Sequence, residues 1–172
     1  MDKQPYTVLF ICRDNSARSI LAEALMNRWG GDRFRAFSAG IDPKSEPHPL
    51  ALEILRRHGL PTEGLASKSW RQFLAAGDEW IDFIIMICDR SAGEESLVWP
   101  GRTLTACWNV TDPVAREESR QAVGVAFRRV FQELENRIKI MTCLRPEAID
   151  RLSLRQRADI GSAVAVQMGT RA

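Results

Sequence analysis

Three observations on this 172-residue chain predict an α/β fold, a single open parallel sheet of about four strands with helices on both faces. Short apolar or β-branched runs alternate with stretches of helical periodicity. The first run passes directly through a tight turn into a helical pattern. A 45% hydrophobic content is enough to fill one core, so residues 1–172 are expected to form a single domain. Because parallel crossovers are right-handed, only a few open-sheet topologies remain.

Taken in order, the strand candidates are Tyr6 to Ile11, Arg35 to Ser38, Ile81 to Ile87 and Thr103 to Trp108, each bounded by turn signals. The first helix is predicted over Ala17 to Trp29 and is closed by Gly30-Gly31. The second runs from Pro49 to His58 and is closed by Gly59, with Leu50, Ile54 and Leu55 on one face. A long amphipathic run from about Glu117 to Ile140 forms the third, where Phe127, Val130, Phe131, Leu134 and Ile138 make the apolar stripe. Pro43 to Pro49 and Ala92 to Gly101 read as surface loops, and the residues after Ile160 as a frayed tail.

Composition excludes several classes of function. The net charge is +2, and the arginines are interleaved with Asp and Glu, so neither a nucleic-acid partner nor a basic membrane-binding face is expected. The longest apolar stretch, Ile81 to Cys88, is broken by Asp82 and is too short to span a bilayer. The cysteines at 12, 88, 107 and 143 show no C-x-x-C spacing, so no metal site and no cofactor are expected. With no apolar N-terminal signal region either, the natural location is a reducing cytoplasm.

In an open parallel sheet, ligands bind beyond the C-terminal ends of the strands, where the winding reverses. At that end of the first strand lies Cys12-Arg13-Asp14-Asn15-Ser16-Ala17-Arg18-Ser19. Cys88-Asp89 follows the third strand and Asp112-Pro113 the fourth, so all three are expected on one rim. A thiolate at Cys12, facing a helix N-terminus and a guanidinium, can persist as a nucleophile at neutral pH. The donors of residues 13–19 suit a tetrahedral oxyanion such as phosphate, arsenate or sulfate, with Arg18 gripping two oxygens in its planar fork. Ser19 can donate to the thiolate, and Asn15 tolerates the left-handed backbone that an inward-turned loop needs. Asp112, held extended by Pro113, is either a general acid or a plain Asp-Pro turn.

The stretch Thr7 to Ala24, TVLFICRDNSARSILAEA, closely resembles the signature of the low-molecular-weight protein tyrosine phosphatase superfamily. Ser38-Ala39-Gly40, Pro49 to Leu55, Gly64 to Trp70, Cys88-Asp89, Val98 to Gly101, Asp112-Pro113 and Asp150-Arg151-Leu152 are similar to its arsenate reductase branch. The resemblance implies a flavodoxin-like fold with Cys12 as nucleophile, Arg18 as oxyanion ligand, Asn15 as loop brace and Asp112 as general acid. It also places His48 near the mouth of the site, where the choice is between an exposed loop histidine and a substrate contact. His58, at a helix end, receives no catalytic role.

Departures from the family pattern concern charge, sulfur and aromatic residues. Arg13-Asp14 replaces a small, Gly-containing pair, and the Asp14 charge should raise the Cys12 pKa unless Arg13 neutralises it. Thioredoxin-coupled reductases of this type carry an extra loop cysteine, a resolving Cys-Asp pair and a third cysteine about eight residues on. Here the loop position is Ala17, the pair is Cys88-Asp89 and the third position is Ser96, so the full relay cannot run as it does in them. Cys88 can still resolve a Cys12 adduct, with glutathione, glutaredoxin or thioredoxin as the external electron donor. Cys107 and Cys143 are read as inert core thiols. The only tyrosine is Tyr6, and Trp99 and Trp108 are read as packing residues, so no ring-binding wall is expected.

The sequence therefore points first to reduction of arsenate to arsenite through a Cys12 adduct. A phosphomonoesterase using Cys12, Arg18 and Asp112, and a non-catalytic oxyanion sensor, are the alternatives.

Overall fold

A computed structural model of the chain describes residues 4–76, 80–95, 97–100, 103–114, 119–145 and 147–149. Four parallel strands, β1 (Tyr6–Cys12), β2 (Phe34–Gly40), β3 (Phe83–Cys88) and β4 (Leu104–Asn109), lie in the order β2-β1-β3-β4. The two central strands are continuous apolar runs because helices cover both faces. Val8 to Ile11 are at most 1% exposed, and all six residues of β3 are buried.

Helix α1 (Arg18–Trp29) returns the chain from β1 to β2 and packs with α2 (Pro49–Arg57) and α4 (Arg120–Thr142) on one face. The opposite face is covered by α3 (Trp70–Ala75) through a smaller cluster of Leu9, Ile11, Phe73, Ile84, Met86 and Trp99. That cluster contains no residue of β4. From β1 the chain steps outward to β2 and then crosses to β3 on the other side, so the winding reverses beside the C-terminal end of β1.

All four expected strands and three expected helices are present, with ends shifted by at most three residues. The apolar stripe of α4 is buried as expected, and its N-cap Ser119 accepts a hydrogen bond from the Ala122 N–H at 3.2 Å. Helix α3 was not expected. Its six residues are too few to establish a period, and its start is marked only by the Ser69 cap on Arg71 N–H at 3.3 Å. Between β3 and β4 the described residues form one 3₁₀ turn, Arg90–Ala92, and then the loop expected from Ala92 onward. The expected α4 start at Glu117, the Ser96 position, Asp150-Arg151-Leu152 and the tail beyond Ile160 lie outside the described residues.

Candidate active site

The loop after β1 is built by turning its carbonyls outward. The carbonyls of Cys12, Arg13, Asp14 and Ser16 accept from the N–H groups of Ile41, Asp42, Lys44 and His48, at 3.0, 2.8, 2.9 and 2.8 Å. The Asn15 carbonyl accepts from the Ser67 hydroxyl at 2.7 Å. With five successive carbonyls held from outside, the loop's N–H groups are left for its concave side, the arrangement of an anion nest. The Asn15 N–H reaches Cys12 Sγ at 3.3 Å.

Asn15 has φ +47° and is the one described non-glycine residue with positive φ, as its residue type predicted. Its amide orientation is determined by the partners. Oδ1 accepts the Lys68 backbone N–H at 2.8 Å, so Nδ2 donates to the hydroxyls of Ser19 at 2.7 Å and Ser38 at 2.9 Å. Each hydroxyl then has its own proton to give. Ser38 gives it to the Glu23 carboxylate, and Ser19 Oγ lies 3.0 Å from Cys12 Sγ, where the hydroxyl can donate to a thiolate or accept from the thiol. The Ser38-Ala39-Gly40 segment thus braces the loop from β2. Gly40 is needed for contact, since a Cβ there would fall 2.9 Å from Asn15 Cβ and 3.0 Å from its backbone nitrogen.

Arg18 is 1% exposed, and both of its terminal nitrogens are held by protein oxygens. Its Nη1 donates to Glu94 Oε2 at 2.7 Å and to the Val110 carbonyl at 3.3 Å. Its Nη2 donates to Glu94 Oε1 at 2.9 Å and to Asp112 Oδ2 at 3.0 Å. The fork expected to hold two substrate oxygens therefore holds two oxygens of Glu94, a carboxylate in the position of an anionic ligand. The sequence reading missed Glu94, which sits in a loop without a periodic signal. Asp89 organises the same rim. Its Oδ1 caps the 3₁₀ turn through Ser91 and Ala92 N–H, and its Oδ2 accepts the Asp112 N–H at 2.8 Å, tying the loops after β3 and β4 together.

These contacts explain the electrostatics. Burial pushes the Cys12 thiol above its ordinary value, against the opposing effects of Arg18 and the Ser19 hydroxyl. The thiolate expected from helix dipole and guanidinium alone is thus not favoured in this resting arrangement, because burial outweighs a guanidinium already paired with two carboxylates. Burial also raises the Asp112 carboxyl, while Arg18 and the Val114 N–H at 3.0 Å act the other way. Asp14 is buried enough to be raised, but Lys44 at 3.2 Å brings it below the usual carboxylate range. Lys44, rather than the exposed Arg13, balances the Asp14 charge. Arg13 lies at the cleft surface and does not neutralise Asp14, whose charge adds to the rise of the Cys12 thiol as expected.

Cys12, Arg13, Glu94 and Cys88 line one cleft of about 520 Å³ at the ends of β1 and β3. Asp112 and Asp89 line a neighbouring cleft, so the Arg18–Glu94–Asp112 bridge divides the common rim. Ser16 and Ala17 are buried within the loop. Cys88 Sγ lies 3.0 Å from Cys107 Sγ, with the exposed Arg90 guanidinium against both sulfurs. Cys107 is exposed rather than a core thiol because β4 is an edge strand outside the α3 cluster, and Cys143, capping α4, is exposed too. His48 caps α2, its Nδ1 accepting the Leu50 N–H at 3.2 Å, and its ring lies 4.9 Å from Phe127. It is half-buried rather than an exposed loop histidine, and the Asp14 and Asp112 charges of the site act on it. His58 stacks on Phe131 at 4.3 Å, while Trp99 and Trp108 pack on Trp70 and Phe10.

Among the described residues no cluster of three His, Cys, Asp or Glu side chains could hold a metal ion, and no helix is long and apolar enough to cross a membrane. The sequence is similar to an arsenate reductase of Halalkalibacterium halodurans, 27% identical over 132 residues, covering 77% of this chain and 91% of that protein. It is 26% identical over 132 residues to a glutaredoxin arsenate reductase of Synechocystis sp., covering 77% and 92%. The crystal structure of an arsenate reductase from Archaeoglobus fulgidus superposes with a TM-score of 0.64 at 27% identity, covering 78% of this chain and 98% of that one. Residues 7–151 match the family described as low molecular weight phosphotyrosine protein phosphatase, a span holding the Cys12 loop, Cys88 and Asp112. With its outward-held carbonyls, buried cysteine and guanidinium at a parallel-sheet switch point, the chain belongs to that family of enzymes.

Proposed function

We propose that the protein reduces arsenate to arsenite, with Cys12 as nucleophile, Arg18 and the N–H groups of residues 13–19 as the oxyanion cradle, and Cys88 as the resolving thiol. The observation that carries this reading is the second sulfur: Cys12 and Cys88 line the same cleft, and only reduction consumes two thiols. The arsenate reductases among its relatives support the choice of substrate, and the glutaredoxin-named relative supports an external thiol donor. Tyr6, the only tyrosine, is packed against Phe34 and Phe83 at the start of β1, which leaves no tyrosine wall for an aryl phosphate. Before substrate can use the Arg18 fork, Glu94 must release at least one of its two bonds.

Phosphomonoester hydrolysis is the second reading. It is favoured by Asp112, a carboxyl beside Arg18 whose pKa burial moves upward, the direction a general acid needs. Assay of arsenite production with glutathione plus glutaredoxin, and separately with thioredoxin, decides between the two. Catalytic arsenite release with either donor is expected. Its absence with both, alongside turnover of an aryl phosphate, would replace reduction by hydrolysis.

A further inference from the structure

The short contact between Cys88 and Cys107 bears on how a Cys12–Cys88 disulfide would be undone. In β3 and β4, Met86 pairs with Cys107 and Cys88 with Asn109, so Cys88 and Cys107 are diagonal neighbours on the same face of adjacent parallel strands. Their sulfurs are in contact at 3.0 Å, against about 2.05 Å for a disulfide bond; diagonal Cα atoms lie about 7–8 Å apart, so closing the bond draws the two strand ends together as well as turning the side chains. One member faces the catalytic cleft and the other faces outward: Cys88 is buried and lines the cleft with Cys12, while Cys107 is exposed on the edge strand. Burial and the adjoining Cys107 raise the Cys88 thiol, and the Arg90 guanidinium beside both sulfurs acts against that rise.

We propose that Cys107 is the terminal thiol of this protein's relay, taking Cys88 out of the Cys12–Cys88 disulfide and presenting a Cys88–Cys107 disulfide to the external reductant. The proposal rests on the arsenate reductase reading for its first two steps. Cys12 attacks arsenic, forming an S–As bond as one oxygen departs. Cys88 attacks the Cys12 sulfur, the S–As bond breaks with its electron pair on arsenic, and arsenite leaves. Cys107 then attacks the Cys88 sulfur, the Cys12–Cys88 bond breaks with its pair on Cys12, and the Cys12 thiolate is restored. The net two thiol protons leave with the lost oxygen as water. A dithiol protein, or two monothiols in sequence, supplies the two electrons that reopen Cys88–Cys107. In the pattern of the thioredoxin-coupled reductases the third thiol would fall at Ser96, and on this proposal a neighbouring strand supplies it instead.

The full chain is treated with one equivalent of arsenate without reductant, alkylated in acid and mapped by mass spectrometry. The expected product is a Cys88–Cys107 disulfide with Cys12 alkylated, and in Cys107→Ser the disulfide stalls at Cys12–Cys88. A wild-type protein that accumulates Cys12–Cys88 with Cys107 alkylated would overturn the relay. If arsenate yields neither arsenite nor any disulfide, the reductase reading and the proposed relay fail together. Titration with glutathione disulfide then tests the dithiol pair separately. Formation of the intramolecular Cys88–Cys107 bond supports the pair as a redox couple, and stable glutathione adducts without that bond contradict it.

Discussion

At the residue scale, the site turns on what Arg18 holds. Its two Nη groups are shared among Glu94, Asp112 and the Val110 carbonyl, so its charge is partly spent before an oxyanion arrives. Substituting Glu94→Gln removes one compensating charge and leaves more of the Arg18 field at Cys12. Because an opposite charge favours thiolate, the Cys12 pKa should fall and the rising limb of its alkylation rate against pH should move to lower pH. An unmoved limb, measured with iodoacetamide, would show that the Glu94 pairing has no hold on the nucleophile. For Arg18→Lys, a point charge replaces the fork, and a loss of about 10²–10³ in kcat is expected from removal of an oxyanion donor. Retention of near-normal kcat and oxyanion affinity would remove Arg18 from the site. Asp112→Asn should slow hydrolysis of alkyl phosphates by about 10²–10⁴, and that of aryl phosphates with good leaving groups much less. Equal losses would make Asp112 a structural turn residue.

At the scale of elements, the loop, β2 and the segment before α3 form one unit. Gly40 lies against Asn15, and Lys68 both accepts the Gly40 N–H at 2.8 Å and donates to Asn15 Oδ1. A methyl group at Gly40→Ala meets backbone on the loop side, where no flexible side chain can yield. A destabilisation of about 1–3 kcal/mol is expected from overpacking, together with weaker phosphate binding. Urea unfolding and phosphate competition measure the two effects, and unchanged values would show that the loop tolerates displacement. The strands, the long helix and the Asn15 conformation were legible in the sequence because buried runs, a 3.6-residue period and residue type leave local signatures. Glu94, Lys44 and the Ser38–Glu23 pair were not. Their roles come from long-range contacts across the strand ends, and nothing in their immediate sequence distinguishes them from solvated polar residues. Cys107 was placed on its strand correctly, but its exposure depends on which strand lies at the sheet edge.

At the scale of the molecule, the strand order β2-β1-β3-β4 puts the strand of Cys12 next to that of Cys88, and Cys88 next to Cys107. A hydrolase of this fold needs only the first of these sulfurs, and the order allows two-electron chemistry to run outward across the sheet. The central claim is that Cys12 and Cys88 together reduce arsenate, and it is tested most directly by measuring arsenite release and aryl phosphate hydrolysis side by side in Cys88→Ser. Arsenite release should be abolished or sharply slowed while hydrolysis stays largely unchanged, because only reduction consumes the second thiol. Arsenite release at the wild-type rate in Cys88→Ser would contradict the account.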